Sequence, residues 1–142
     1  MTRPELLGIR LFDLTGRVAV VTGAGRGLGR TMALALAAAG ADLAVSSRTL
    51  PELESLADEV HALGRRCEPI TADMTRPADA DALAEAAVSR LGRVDILVNN
   101  AGINIRKPVL ELTPAEYREV LVTNLDGYFL AARAFGPHLV GQ

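Results

Sequence analysis

Short apolar runs alternate along this chain with longer segments in which apolar side chains recur every three or four positions. The short runs are typical of buried strands, and the longer spacing is typical of helices with one apolar face. Strands that alternate with helices form βαβ units, so the pattern predicts an α/β fold with a parallel sheet. The predicted strands are Val18–Thr22, Asp42–Ser46, Cys67–Thr71 and Asp95–Asn99.

Glycine and threonine mark the ends of the helices between these strands. Gly40 and Gly64 end the first two helices, because glycine readily adopts the left-handed conformation that follows a helix. Thr75 is placed to cap the third helix, and Thr113-Pro-Ala-Glu116 forms a capping box for the fourth. The predicted helices are Gly27–Ala39, Pro51–Leu63, Arg76–Leu91 and Pro114–Leu139.

The predicted topology leaves apolar surface uncovered. Right-handed crossovers would place the strands in the order 3-2-1-4, a Rossmann-like doubly wound sheet truncated after four strands and the fourth main helix. An uncovered edge strand favours pairing with another chain, so we expect self-association through this edge and the last helix. That helix carries an apolar stripe at three- and four-residue spacing: Leu121, Asn124, Leu125, Tyr128, Phe129 and Ala132.

Length and composition predict a single domain over residues 1–142, with residues 1–16 as a lead-in. A content of 49% hydrophobic and 23% charged residues is typical of a soluble globular domain. The formal net charge of −2 gives no reason to expect nucleic acid or an anionic membrane as partner. The lead-in has neither a signal-peptide core nor a membrane span, so we expect a cytoplasmic protein. Cys67 is the only cysteine, so we expect a buried apolar side chain there and no metal site.

The segment between the first strand and the first helix is the most informative. It reads Thr22-Gly-Ala-Gly-Arg-Gly-Leu-Gly29, with four glycines at alternate positions. Because glycine has no Cβ, such a loop lets backbone N–H groups and a helix N-terminus approach a phosphate. A tight turn would also account for the glycines taken alone. In an α/β sheet the segment favours a dinucleotide site at the carboxyl ends of the strands.

Two motifs carry a resemblance to a known family. The spacing Thr22-Gly23-x-x-x-Gly27-x-Gly29, with Asn99-Asn-Ala-Gly102 after the fourth strand, resembles the short-chain dehydrogenase/reductase family. The loop departs from the common Gly-x-Gly-x-x-Gly fingerprint, which would require glycine at Leu28. Asp73 and Asn124 also fall where that family's pattern places them. The resemblance implies an oxidoreductase that interconverts an alcohol and a carbonyl in a small-molecule substrate, using a nicotinamide cofactor.

The resemblance also implies the cofactor-binding residues. Asp73 would accept a hydrogen bond from the adenine amino group, and Asn100 to Gly102 would line the ribose. Without the family, Asp73 could merely cap the following helix, and the Asn-Asn-Ala-Gly segment could be a turn. The implied set is Thr22, Gly23, Gly25, Arg26, Gly27, Leu28, Gly29, Ser47, Arg48, Asp73, Met74, Asn100, Ala101 and Gly102.

The end of the second strand predicts which cofactor is preferred. An NAD-selective site has a carboxylate there that accepts hydrogen bonds from the ribose hydroxyls. By the resemblance, Ser47 takes that place and Arg48 follows it, and a guanidinium can bind a 2′-phosphate through two parallel hydrogen bonds. Arg26 could reach the same phosphate, although both arginines could be ordinary solvated side chains. We therefore predict that NADP(H) is favoured over NAD(H).

The proton-transfer residues are mostly missing. That family uses a serine, a tyrosine, a lysine four residues after it, and an asparagine, of which only the asparagine can be placed, as Asn124. Its amide could instead bridge backbone groups in the core. Tyr117 and Tyr128 have Leu121 and Ala132 four residues later, so neither begins a Tyr-x-x-x-Lys motif. We expect a truncated or divided reading frame. The alternatives are an inert nucleotide-binding module, a subunit completed by a second chain, or a fragment that does not fold alone.

Two further segments bear on the substrate. Leu11–Gly16 and Asn104–Pro108 are similar to the gluconate 5-dehydrogenase and sugar-acid dehydrogenase branch of the family. The 3-oxoacyl-(acyl carrier protein) reductases are the alternative.

Overall fold

A computed structural model describes residues 8–141, so the first seven residues of the expected lead-in lie outside the described residues. Within that range a single turn of 3-10 helix, Ile9–Phe12, precedes the sheet. The strands are β1 (Val18–Thr22), β2 (Asp42–Ser47), β3 (Cys67–Thr71) and β4 (Ile96–Val98). The helices are α1 (Gly27–Ala38), α2 (Leu50–Ala62), α3 (Pro77–Leu91), α4 (Pro114–Leu121) and α5 (Gly127–Val140), with a π-helical turn at Val122–Asp126.

The strands form one parallel sheet in the order β3-β2-β1-β4, which confirms the predicted fold class and topology. At the carboxyl end of the sheet, Thr22 of β1 pairs with Ser46 of β2, and Ser46 pairs with Ile70 of β3. The loops that follow these strands therefore emerge together on one edge of the sheet, where open α/β sheets bind ligands.

Helices cover both faces of the sheet. On one face α1 and α2 contribute Ala33, Leu53 and Leu56 to the core, and on the other α3 and α5 contribute Leu83 and Phe135. All five residues of β1 are buried, as expected for a central strand with helices on both sides. Cys67 is 4% exposed, which confirms its predicted burial, and that burial together with the nearby Glu68 raises the pKa of its thiol to about 12.

The start of α3 corrects the prediction for Thr75. The residue at the N-cap of α3 is Arg76, whose side chain makes no capping bond. The backbone N–H and hydroxyl of Thr75 instead both donate to Asp73 Oδ1, at 2.9 and 2.7 Å. Thr75 was therefore wrongly predicted as a helix cap, because its hydroxyl is used by the turn that follows β3.

The last helix differs from its prediction in continuity and orientation. The capping box is present: Thr113 Oγ1 accepts from the N–H of Glu116 at 3.2 Å, and Glu116 Oε2 accepts from the N–H of Thr113 at 2.9 Å. The π-helical turn at Val122–Asp126 interrupts the predicted continuous helix and changes which side chains align along it.

The predicted apolar stripe does not face the described core. Leu125 and Phe129 are 63% and 65% exposed. The buried face of α5 is formed by Gly127, Ala131 and Phe135 instead. A Cβ at Gly127 would lie 3.1 Å from the carbonyl oxygen of Met74, so glycine there lets α5 approach the segment after β3 closely. Self-association through this helix and the sheet edge stays a prediction.

No helix within residues 8–141 is long and apolar enough to cross a membrane.

Candidate cofactor site

A cleft of about 500 Å³ opens at the carboxyl edge of the sheet. It brings together most of the residues predicted to bind the cofactor, whereas Thr22 and Asn124 lie outside its lining. The predicted residues that line it are Gly23, Gly25, Arg26, Gly27, Leu28, Gly29, Ser47, Arg48, Asp73, Met74, Asn100, Ala101 and Gly102. The lining residues that the sequence did not predict are Ser46, Thr49, Glu52, Ala72, Thr75, Ile103 and Thr123.

The glycine loop needs its glycines for close approach and for backbone conformation. A Cβ at Gly29 would collide with the carbonyl oxygen of Gly23 and the side-chain amide of Asn100. Gly27, the first residue of α1, has a φ of 56°, which side chains other than glycine rarely adopt. The loop therefore packs tightly on the end of β4 and leaves the N-terminus of α1 facing the cleft. Such a cradle fits the pyrophosphate of a dinucleotide.

Thr22 positions this loop from behind the cleft. Its side chain is buried at 1% exposure, and its hydroxyl donates to the carbonyl of Val98 at 3.3 Å. The same oxygen accepts from the backbone N–H groups of Asn100 and Ala101, each at 3.1 Å. Thr22 thus joins the ends of β1 and β4.

The side chain of Asn100 completes the connection between the glycine loop and β4. Its Nδ2 donates to the carbonyl oxygens of Thr22 and Gly23, at 3.0 Å each. These bonds hold the first glycine of the loop against the end of β4. The position of the glycine loop therefore depends on the polar side chains of Thr22 and Asn100.

Asp73 places a negative charge at the opposite side of the cleft, after β3. The two hydrogen bonds from Thr75 hold the pKa of this carboxyl below its usual value, with smaller contributions from the positive charges of Arg48 and Arg76. The carboxylate is therefore ionised at neutral pH and is available as a hydrogen-bond acceptor. The sequence predicted Asp73 as a binding residue, and the cleft contains it.

The end of β2 presents exposed charged groups. Ser47 Oγ accepts from the backbone N–H of Thr49 at 3.1 Å, which fixes the turn into α2. Arg26 and Arg48 are both exposed, and neither forms an ion pair with any other residue between 8 and 141. The sequence did not predict Glu52, because Glu52 lies on α2 and not at the strand end where an NAD-selective site has its carboxylate. The first turn of α2 brings its side chain back beside Ser47 and Gly25.

Asn124 lies behind the cleft and is paired with the chain that follows β4. Its Oδ1 accepts from the backbone N–H of Ile103 at 2.8 Å, and its Nδ2 donates to the carbonyl of Ile103 at 2.9 Å. The amide thus bridges backbone groups, and its assignment to proton transfer stays a prediction. Lys107, the only lysine, forms an ion pair with Glu116 away from the cleft lining.

A parallel sheet with a glycine-rich loop at the carboxyl end of its first strand, followed by a helix, is typical of dinucleotide-binding domains. The family model described as short chain dehydrogenase matches residues 17–142, and this chain belongs to that family.

Three relatives illustrate the similarity. The chain is 40% identical over 131 residues to 2-dehydro-3-deoxy-D-gluconate 5-dehydrogenase of Escherichia coli (strain K12), covering 92% of this chain and 51% of the relative. A short-chain type dehydrogenase/reductase from Mycobacterium marinum superposes with a TM-score of 0.89 at 39% identity, over 93% of this chain and 53% of that structure. The 3-ketoacyl-(acyl-carrier-protein) reductase from Brucella melitensis, complexed with NADH, superposes with a TM-score of 0.82 at 38% identity, over 88% of this chain and 50% of that structure. The chain spans about half the length of the curated relatives it matches.

Proposed function

We propose that this chain is the cofactor-binding part of an alcohol/carbonyl oxidoreductase and that it prefers NADP(H) to NAD(H). The observation that carries the proposal is the glycine loop packed on Asn100 and Ala101, with the N-terminus of α1 facing a cleft of about 500 Å³. When bound, the nicotinamide supplies or accepts the hydride. The residues of this chain hold and orient the cofactor.

Each side of the cleft has a separate part in that binding. The backbone N–H groups at the start of α1 bind the pyrophosphate, because a helix N-terminus carries partial positive charge. The ionised Asp73 accepts a hydrogen bond from the adenine amino group. Arg26 and Arg48 bind the 2′-phosphate that distinguishes NADP(H) from NAD(H), since a guanidinium matches phosphate geometry.

The acid/base step belongs to residues other than those in the sequence given. Neither tyrosine begins a Tyr-x-x-x-Lys motif, and Lys107 is already paired with Glu116. We therefore expect this chain alone to bind cofactor without turnover. An inert nucleotide-binding module, or a subunit completed by another chain, would behave in the same way.

For the substrate, we propose a sugar acid with a secondary hydroxyl or keto group. The proposal is supported by the similarity to a 2-dehydro-3-deoxy-D-gluconate 5-dehydrogenase. The similarity to the 3-ketoacyl-(acyl-carrier-protein) reductase supports the alternative, a 3-oxoacyl substrate.

Titration of the purified protein with NADPH and NADH tests the cofactor assignment. We expect NADPH to bind more tightly, and Arg48→Ala to weaken NADPH binding roughly tenfold or more, because a hydrogen bond to a charged group is worth about 1.5–3 kcal/mol. Arg133→Ala is the matched control, since Arg133 is exposed on α5 and outside the cleft lining. Equal or tighter binding of NADH, or unchanged NADPH affinity in Arg48→Ala, would contradict the assignment.

A further inference from the structure

The space between the glycine loop and the end of β2 is filled by a carboxylate from α2. Glu52 is half-buried and lines the cleft. A Cβ at Gly25 would collide with Glu52 Oε2 and would lie 3.0 Å from Ser47 Oγ. The φ of Gly25 is not positive, so this position needs glycine for steric reasons and not for its backbone conformation. Glu52 occupies the space that a side chain would need.

The helix that carries Glu52 is held firmly against α1. The guanidinium of Arg30 donates to the carbonyl oxygen of Glu52 at 3.1 Å and to Ser55 Oγ at 3.1 Å. It also forms an ion pair with Glu59 at 2.5 Å. Leu53, next to Glu52, is fully buried. The contacts with Arg30 and the burial of Leu53 thus hold the first turn of α2 in place, so the backbone that carries Glu52 is rigid.

The charge of Glu52 is not cancelled by any ion pair among residues 8–141. Its carboxylate lies beside Ser47, at the strand end where dinucleotide sites bind the ribose hydroxyls. A carboxylate there accepts a hydrogen bond from a hydroxyl, and it repels a phosphate. Arg26 and Arg48 line the same cleft and attract a phosphate.

We infer that Glu52 is a cofactor-selectivity residue that opposes the two arginines. It favours the 2′-hydroxyl of NAD(H) and disfavours the 2′-phosphate of NADP(H), so that the preference of the site is a balance of opposite charges from the glycine loop, the turn after β2, and α2. This inference rests on the proposed nicotinamide-dinucleotide function.

The experiment measures dissociation constants for NADPH and NADH in Glu52→Gln and Glu52→Lys. Glutamine keeps the shape of the side chain and removes its charge, and lysine reverses the charge. We expect NADPH affinity to rise in the order parent, Glu52→Gln, Glu52→Lys, by roughly tenfold at the first step, since one removed like charge near a phosphate is worth about 1.4 kcal/mol. NADH affinity should fall, because the charged acceptor for the 2′-hydroxyl is lost.

Two controls isolate the charge of Glu52. Glu54→Gln makes the same change in net charge on the same helix, but Glu54 is exposed and outside the cleft lining, so the NADPH to NADH ratio should not move. High salt should reduce the gain in Glu52→Gln, because screening weakens repulsion between partly exposed charges. A helix content equal to that of the parent verifies that each variant folds.

The outcomes separate the two proposals. If the parent binds NADPH and the NADPH to NADH ratio is the same in Glu52→Gln and Glu54→Gln, the inference about Glu52 is overturned and the proposed function stands. If neither nucleotide binds the folded parent, the proposed function is overturned together with the inference.

Discussion

The glycine-loop side of the cleft is built from buried backbone contacts, whereas the side formed by the end of β2 and the start of α2 presents exposed charges. On the first side, the side chains of Thr22 and Asn100 form hydrogen bonds that hold the loop against the end of β4. On the second, Arg48 and Glu52 form no ion pair within the described residues 8–141, and neither does Arg26, which the glycine loop contributes. We therefore propose that backbone shape sets which class of ligand fits the cleft and that side-chain charge sets which nicotinamide cofactor is preferred.

The largest effect should come from filling the closest approach on the glycine-loop side. In Gly29→Ala the new Cβ collides with the carbonyl oxygen of Gly23, which cannot move without breaking the Asn100 contacts. We expect a loss of about 3 kcal/mol in the free energy of unfolding, as for an overpacked core, and no NADPH binding at concentrations that saturate the parent. Urea denaturation and calorimetry measure the two effects.

Gly136→Ala is the matched control for that variant. A Cβ at Gly136 on α5 would meet no atom within 4 Å, and alanine is the better helix former. We expect unchanged or slightly increased stability and unchanged binding. Equal behaviour of the two variants would show that the contacts of Gly29 carry no special weight.

Removing the Thr22 hydroxyl should have the next largest effect. In Thr22→Val the N–H groups of Asn100 and Ala101 lose their acceptor inside the protein. We expect the free energy of unfolding to fall by about 1–3 kcal/mol, the usual cost of leaving buried polar groups without a partner. Nucleotide affinity should fall as well, although Thr22 does not line the cleft. Thr71→Val at the exposed end of β3 is the control and should leave both quantities unchanged.

The charge of Asp73 should show itself through pH. Hydrogen bonds from Thr75 hold the pKa of its carboxyl below the ordinary value of 3.8, so the ionised form stabilises the folded state. That contribution is complete above the unfolded pKa of about 3.9 and is lost as the pH falls through the lower folded pKa. We expect the stability difference between the parent and Asp73→Asn to shrink below pH about 4. A difference that stays constant as the pH falls from about 6 to about 2 would contradict this role.

The smallest effect should come from removing the contacts that Arg30 of α1 makes with α2. In Arg30→Ala the bonds to Glu52, Ser55 and Glu59 disappear. We expect a loss of about 1 kcal/mol in stability, because much of the interaction is near the surface. Glu59→Gln, which removes only the ion pair, should cost less, and both can be followed by urea denaturation. A larger loss in Glu59→Gln would mean that the ion pair, and not the bonds to the start of α2, holds the helix.

The predictive power of the sequence differed between the same two regions. Strand periodicity and glycine spacing are local properties, and they were enough to locate β1, the glycine loop and the strand order. Glu52 could not be found in this way, because its nearness to Gly25 depends on how α2 packs against α1. Thr22 was predicted as a contact residue, but its burial depends on the pairing of β1 with β4.

Two errors in helices have a similar origin. Thr75 lies one residue before the N-cap, Arg76, and its hydroxyl donates to Asp73 Oδ1. The stripe of the last helix follows ideal helical spacing, which the π-helical turn at Val122–Asp126 breaks. Helix positions could be predicted from the sequence only where no local side-chain bond or π-helical turn altered the backbone.

Hydrogen–deuterium exchange with and without saturating NADPH tests the central claim most directly. The account predicts slower exchange in the glycine loop, Gly23 to Gly29, and in the segments 47–52, 73–75 and 100–103, with little change in α3. Slower exchange confined to regions outside the cleft, or none at a concentration where NADPH is bound, would contradict the assignment of this cleft as the cofactor site.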